Sequence, residues 1–151
     1  MAYSAVSVAN TIITLAKDKE IYDLTPMKIQ KLMYFAQFFY LKYFKKILID
    51  DNFVRWRYGP VIPSLYYQFR SYQSQPINNC IQQLIENNEV VVYMIPDTDG
   101  ICWEYLSNVI DEFGRKTAFE LSEITHRSNS SWSAGAIDTV ITIDDMKKSE
   151  I

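Results

Sequence analysis

Apolar positions recur at helical spacing near the start of the chain, where Ala5, Val8, Ala9, Ile12, Ile13 and Ala16 follow the i, i+3, i+4 rule of an amphipathic helix over residues 2–15. The next segment, LTPMKIQKLMYFAQFFYLKYFKK, carries the strongest helix signal. Thr25 is placed to cap it, and Pro26 sits at the first helical position, where a missing N–H costs nothing. Projected at 100° per residue, this second helix gathers Lys28, Lys31, Lys42 and Lys45 into one narrow stripe, with Phe35 and Phe38 inside it and apolar residues around most of the remaining circumference. A central helix with one wet strip is expected, and the two phenylalanines mark that strip as a candidate contact surface. The competing reading is that the lysine stems and both rings are covered by neighbouring elements.

The pattern then changes period. Phe53, Arg55 and Arg57 alternate with Val54, Trp56 and Tyr58, as in a strand, and Gly59 and Pro60 end it in a turn. The expected phase puts Val54, Trp56 and Tyr58 inward and both arginines outward. Pro63 opens a third helix to about Tyr72, and a short fourth helix is expected over 77–87. The β-branched run from Glu89 to Ile95 reads as a strand that pairs with Phe53–Arg57. A helix from about Trp103 to Phe113 ends at Gly114. Another begins at Thr117, with Glu120 at capping-box spacing. The stretch THRSNSSWSAGA reads as a loop with a short helical turn. The expectation is a mainly α (α+β) fold, a single compact domain of five to six helices with a small antiparallel β element. It spans residues 1–136, and 137–151 forms either an ordered acidic strap or a loose tail.

Composition refines this picture without changing it. The chain has 151 residues, ordinary for one core, and neither a signal sequence nor a membrane span is expected. Two cysteines are too few for a disulfide framework, so free thiols and a cytoplasmic setting follow. Charge is segregated along the chain. Leu24–Gln73 holds eight Lys or Arg against two acids and fourteen of the twenty-two aromatics, whereas the remainder is acidic.

Candidate chemistry is sparse. A nucleophilic pair would need Cys80 or Cys102 beside His126, the only histidine, and neither cysteine lies in a cationic setting. No metal-ligand spacing and no phosphate-cradling glycine run is present, so no enzyme activity, cofactor or metal is expected. Lys28, Lys31, Lys42, Lys45, Arg55, Arg57 and Arg70, interleaved with aromatics, resemble the parts of a nucleic-acid surface, but a pI near 5.1 opposes that reading. Tyr, Trp and Arg are equally the anchors of protein interfaces.

Three motifs occur in order: Thr25, Lys28, Gln30, Lys31, Leu32, Tyr34, Ala36 and Gln37; then Trp56, Arg57, Tyr58, Gly59, Pro60, Val61 and Pro63; then Leu121, Ser122, Thr125, His126 and Trp132. Together they resemble the SocA-like Panacea antitoxin domain, a group that includes phage-associated GepA proteins. The resemblance covers about residues 5–135, although Ser131 stands where the family usually has proline and 77–100 matches no motif. It implies a non-enzymatic protein that binds and neutralises a cognate toxin encoded beside it, or an adaptor that passes the toxin to a protease. On this reading the expected partner surface comprises Lys28, Lys31, Phe35, Phe38, Arg55, Arg57, Tyr66 and His126. Thr25, Gln30, Tyr34, Trp56, Tyr58, Gly59, Pro60, Pro63 and Trp132 form the structural signature. A second reading of His126 makes it a hydrogen-bonded cap closing the helix that ends near Thr125.

Overall fold

The computed structural model describes residues 2–151. Helix α1 spans Ala5–Asp18 and is capped by the Ser4 side chain. Helix α2, Pro26–Phe44, begins as its sequence requires: the Thr25 hydroxyl accepts from the Lys28 N–H, with Pro26 in the first turn. It stops where Lys45 turns left-handed at φ 58°. From Lys28 to Phe38 the helix is buried on every side, because α1, α4, α5 and the small sheet all pack on it. The expected solvated lysine stripe is therefore not formed.

Strand β1 (Phe53–Trp56) is followed closely by β2 (Gly59–Val61), and the two pair antiparallel with Trp56 opposite Gly59 and Val54 opposite Val61. Helix α3 (Pro63–Phe69) continues into a 3-10 turn over Arg70–Tyr72. Residues 77–87 form no α-helix, and only a 3-10 turn, Glu86–Asn88, begins within them. Instead β3 (Gln83–Leu84) and β4 (Val90–Val91) form a separate two-stranded ribbon, so the expected pairing with β1 is replaced by a local hairpin. Its turn places Asn87 and Asn88 at φ 67° and 59°, a conformation that asparagine tolerates better than most residues.

Helix α4 (Gly100–Phe113) is capped by Asp99 and ends at Gly114, whose φ of −67° is right-handed rather than the left-handed geometry expected of a terminal glycine. Glycine is needed there for space: a Cβ would lie 2.5 Å from the Ile110 carbonyl oxygen. Helix α5 (Ala118–Thr125) opens with the full capping box of Thr117 and Glu120. A 3-10 turn spans Trp132–Ala134. The last residues are ordered, with β5 (Val140–Ile141) on the free edge of β1, α6 (Ile143–Lys148) capped by Thr142, and Ile151 buried. No helix among the described residues is long and apolar enough to cross a membrane.

The strand departs from the expected phase at Arg55, which is inside, and at Tyr58, which is outside, whereas Arg57 is exposed as expected. Phe53 and Arg55 point inward, Val54 and Trp56 are half-buried, and Tyr58 is 62% exposed. Phe53 meets the edge of Tyr34, with ring centroids 5.4 Å apart. Arg55 can follow it inward because the space beneath the strand is lined with acceptors.

Candidate functional site

The segment from Arg55 to Ile62 is held by its backbone. The Arg55 carbonyl accepts from the Asp138 N–H at 2.7 Å, that of Trp56 from the Trp132 indole at 2.8 Å, and that of Arg57 faces His126 Nε2 at 3.0 Å. The Tyr58 carbonyl accepts from the Ser122 hydroxyl at 2.7 Å, the Pro60 carbonyl from Lys31 Nζ at 3.1 Å, and the Ile62 carbonyl from Gln30 Nε2 at 3.1 Å. Gln30 also accepts from the Ile62 N–H at 2.9 Å, completing a strand-like pair with a side chain in place of backbone. The three sequence motifs are thus one device. Polar side chains from α2, α5 and the Trp132 turn fix successive carbonyls of a loop that could not otherwise satisfy them.

Gly59 completes the device. Its φ is 122°, and an added Cβ would stand 2.8 Å from both Lys31 Cε and Thr125 Oγ1. Lys31 is itself 1% exposed with no ion pair, and burial lowers its pKa from 10.5 to about 7.

Arg55, expected on the surface, is 3% exposed and spends all five donors inside. Nε donates to the Trp132 carbonyl, Nη1 to Thr139 Oγ1 and the Val140 carbonyl, and Nη2 to the Ser131 carbonyl and Asp145, each at 2.9 to 3.0 Å. The Asp145 carboxylate is held below its ordinary pKa, mainly by the Thr142 N–H and further by Arg55. Arg55 therefore ties the 137–151 segment to β1, assisted by Lys42, whose ammonium donates to the Lys147 and Ser149 carbonyls.

Other expected surface residues are also inside. Lys28 is fully covered and pairs with Asp23 at 2.7 Å, while Phe35 and Phe38 are 0% and 1% exposed, with Phe35 stacked on Phe113. As placed here, these residues and Arg55 offer no free surface, because the helix packs against neighbours on all sides and the stems are covered with it. His126 caps α5, its Nδ1 lying 2.6 Å from the Ser122 carbonyl and its ring 4.0 Å from that of Trp132. Both ring nitrogens are occupied by backbone. Neither cysteine is hydrogen-bonded to it: Cys80 contacts Thr14 and the Asn10 carbonyl, and burial raises the Cys102 thiol to about 12.

What remains outside is compact. Arg57 lies over the Tyr58 ring and Arg70 over the Tyr67 ring, each at 5.5 Å, and Tyr66 meets Trp56 edge-on with centroids 5.0 Å apart. Tyr58 and Tyr67 are each 62% exposed and Tyr66 is 40% exposed. Tyr67 and Arg70 stand outside the three sequence motifs and are marked in the sequence only by their aromatic and basic character. Their role on this face follows from the helical turn that carries them beside the pinned loop. Burial of Lys28, Lys31 and Arg55 also removes three of the seven cations that a nucleic-acid surface would use.

Residues 29–133 match the family described as "Antitoxin SocA-like, Panacea domain". The chain belongs to that family. It is similar to Antitoxin SocA of Caulobacter vibrioides (strain NA1000 / CB15N), at 29% identity over 129 residues that span 85% of this chain and 68% of that protein. No solved structure matches it. The family match begins inside α2 and ends at the Trp132 turn, so it contains nearly every side chain that pins the loop. The β5–α6 segment that Arg55 holds lies beyond it. Family membership supports an antitoxin-like role for this Panacea domain and implies a toxin partner.

Proposed function

We propose that the protein is an antitoxin that neutralises a cognate toxin protein by direct contact, and that it does so through the exposed face of Arg57, Tyr58, Tyr66, Tyr67 and Arg70. One observation carries this reading: Arg57 and Tyr58 stand outside on a segment whose backbone is fixed by six contacts, with Tyr66, Tyr67 and Arg70 beside them on the adjoining helix and 3-10 turn. Tyrosine and arginine on a rigid backbone lose little entropy on binding, which makes them effective interface anchors.

Co-expression with the toxin encoded beside this gene is expected to restore growth and to yield a co-purifying complex. Combined Tyr66→Ala and Tyr67→Ala changes are expected to abolish both while the melting temperature stays within about 2 °C, as befits exposed positions. Full neutralisation by that double variant would reject this face as the contact surface. Toxin that disappears from cells only when a protease is present, with no stable complex, would identify an adaptor instead.

A further inference from the structure

Between the first turn of α2, the Trp56–Tyr58 segment and α3 lies an open pocket of about 430 Å3. Its walls are largely apolar, with Met27, Trp56 and Phe69 prominent, and both Lys31 and Arg57 line it. Neither cation forms an ion pair among the described residues. Lys31 Nζ makes one hydrogen bond, to the Pro60 carbonyl, so at least one of its N–H groups lacks a protein partner whether or not it is charged. The single carboxylate in the wall, Asp138, is bonded to neither cation.

We propose that this pocket is the anchor site for one acidic side chain, a glutamate or aspartate, presented by the partner protein, whose carboxylate takes the free donors of Lys31 and Arg57 while the apolar wall covers its stem. The inference rests on the reading of the adjoining tyrosine–arginine face as the partner surface. The physical argument is preorganisation. Lys31 is desolvated on folding, which leaves its proton loosely held near neutral pH, so an arriving carboxylate restores the charge of an amine already stripped of water and bears its own desolvation. A neutral amide of the same shape can accept a hydrogen bond there but forms no ion pair. Gly59 keeps the arrangement possible, since any Cβ would displace the Lys31 stem.

The test is selection of random peptides, displayed as internal segments of a phage coat protein, against the full chain. The selected peptides are expected to share one Asp or Glu position, and its replacement by Asn or Gln is expected to weaken binding at least about tenfold. Lys31→Met is expected to erase the acidic preference, with a lower melting temperature at acid pH or a higher one according to whether the lost Pro60 bond or the removed buried charge weighs more, and Arg57→Ala to reduce the preference. Should Lys31→Met fail to fold, the acid-to-amide exchange in the peptide reads the same contact on the wild-type chain. A selection without an acidic position, including one that enriches nothing, overturns the inference. So does an acidic preference that survives Lys31→Met, or one that inorganic phosphate at millimolar concentration removes as well as peptide does. If non-acidic peptides are selected and are lost with Tyr66→Ala and Tyr67→Ala, the anchor fails and the face stands. If they persist on that double variant, the face fails too.

Discussion

Two loop-rich regions, residues 55–62 and residues 81–95, differ in composition and are held in opposite ways. In the first, six carbonyls are taken by groups from α2, α5, the Trp132 turn and the C-terminal segment. In the second, the ribbon is fastened to the body by α1: Asn10 donates to the Ile81 and Tyr93 carbonyls and accepts from the Ile81 N–H, and Thr11 accepts from the Ile95 N–H. Leu84, Val90 and Tyr93 are consequently left 67%, 58% and 48% exposed. A backbone fixed from several sides can present side chains in one geometry, whereas a ribbon fastened at its base can open on its own. This is why the recognition face is placed on the first region although the second exposes more aliphatic surface.

The largest expected effect breaks the first region at its hub. Arg55→Ala removes a buried guanidinium with five partners and is expected to cost about 3 to 5 kcal/mol in urea unfolding. Arg57→Ala, two residues along the same segment, is expected to change stability by less than about 0.5 kcal/mol and to lower partner affinity. Equal losses from the two substitutions would mean that the inside–outside distinction is wrong. Gly59→Ala comes next, at about 2 to 4 kcal/mol. It combines a disfavoured positive φ with a Cβ pressed against Lys31 and Thr125.

Legibility in the sequence follows the same division. Helices α1, α2 and α5 could be read because period and caps agree: Thr25 with Pro26, and Thr117 with Glu120, occupy the positions the sequence assigns them. The 77–87 region was misread because Ile77, Ile81 and Leu84 fall at helical spacing while the deciding signal, two asparagines in a left-handed turn, is only two residues long. The site misled in a different way. Lys28, Lys31 and Arg55 are expected outside because charged side chains usually are, yet Lys31 and Arg55 meet acceptors that only tertiary structure brings together, while Lys28 pairs with Asp23 five residues back. The polar motif residues were recognisable as a signature, but their shared purpose as carbonyl donors depends on three segments converging.

Lys31 gives the pinned loop a titration signature. Below about pH 7 it is protonated in both folded and unfolded chains. Above that the folded chain releases the proton while the unfolded chain keeps it up to about pH 10.5. The unfolded state then binds more protons, so stability is expected to rise with pH, by up to about 1.4 kcal/mol per unit. Cys102 acts in the opposite sense above its unfolded value of 9.0, because its folded thiol ionises only near 12. The window that isolates Lys31 is therefore pH 7 to 9. Urea midpoints across it should climb in the wild type and stay nearly flat in Lys31→Met; parallel curves would show that Lys31 does not lose its charge.

The most localised effect belongs to the ribbon and tests whether it is a separate unit. Asn10→Ala leaves the Ile81 N–H buried without its acceptor and frees two carbonyls, so a global loss of about 1 to 3 kcal/mol is expected. Its distribution matters more than its size. Amide hydrogen exchange should accelerate strongly over Gln83–Val91, where the hairpin can open once its base is cut, and little over Trp56–Ile62, whose carbonyls are held by other elements. Uniform acceleration across both regions would mean that the ribbon and the pinned loop unfold together, and the contrast between a rigid presenting face and a locally opening hairpin would then have no energetic basis.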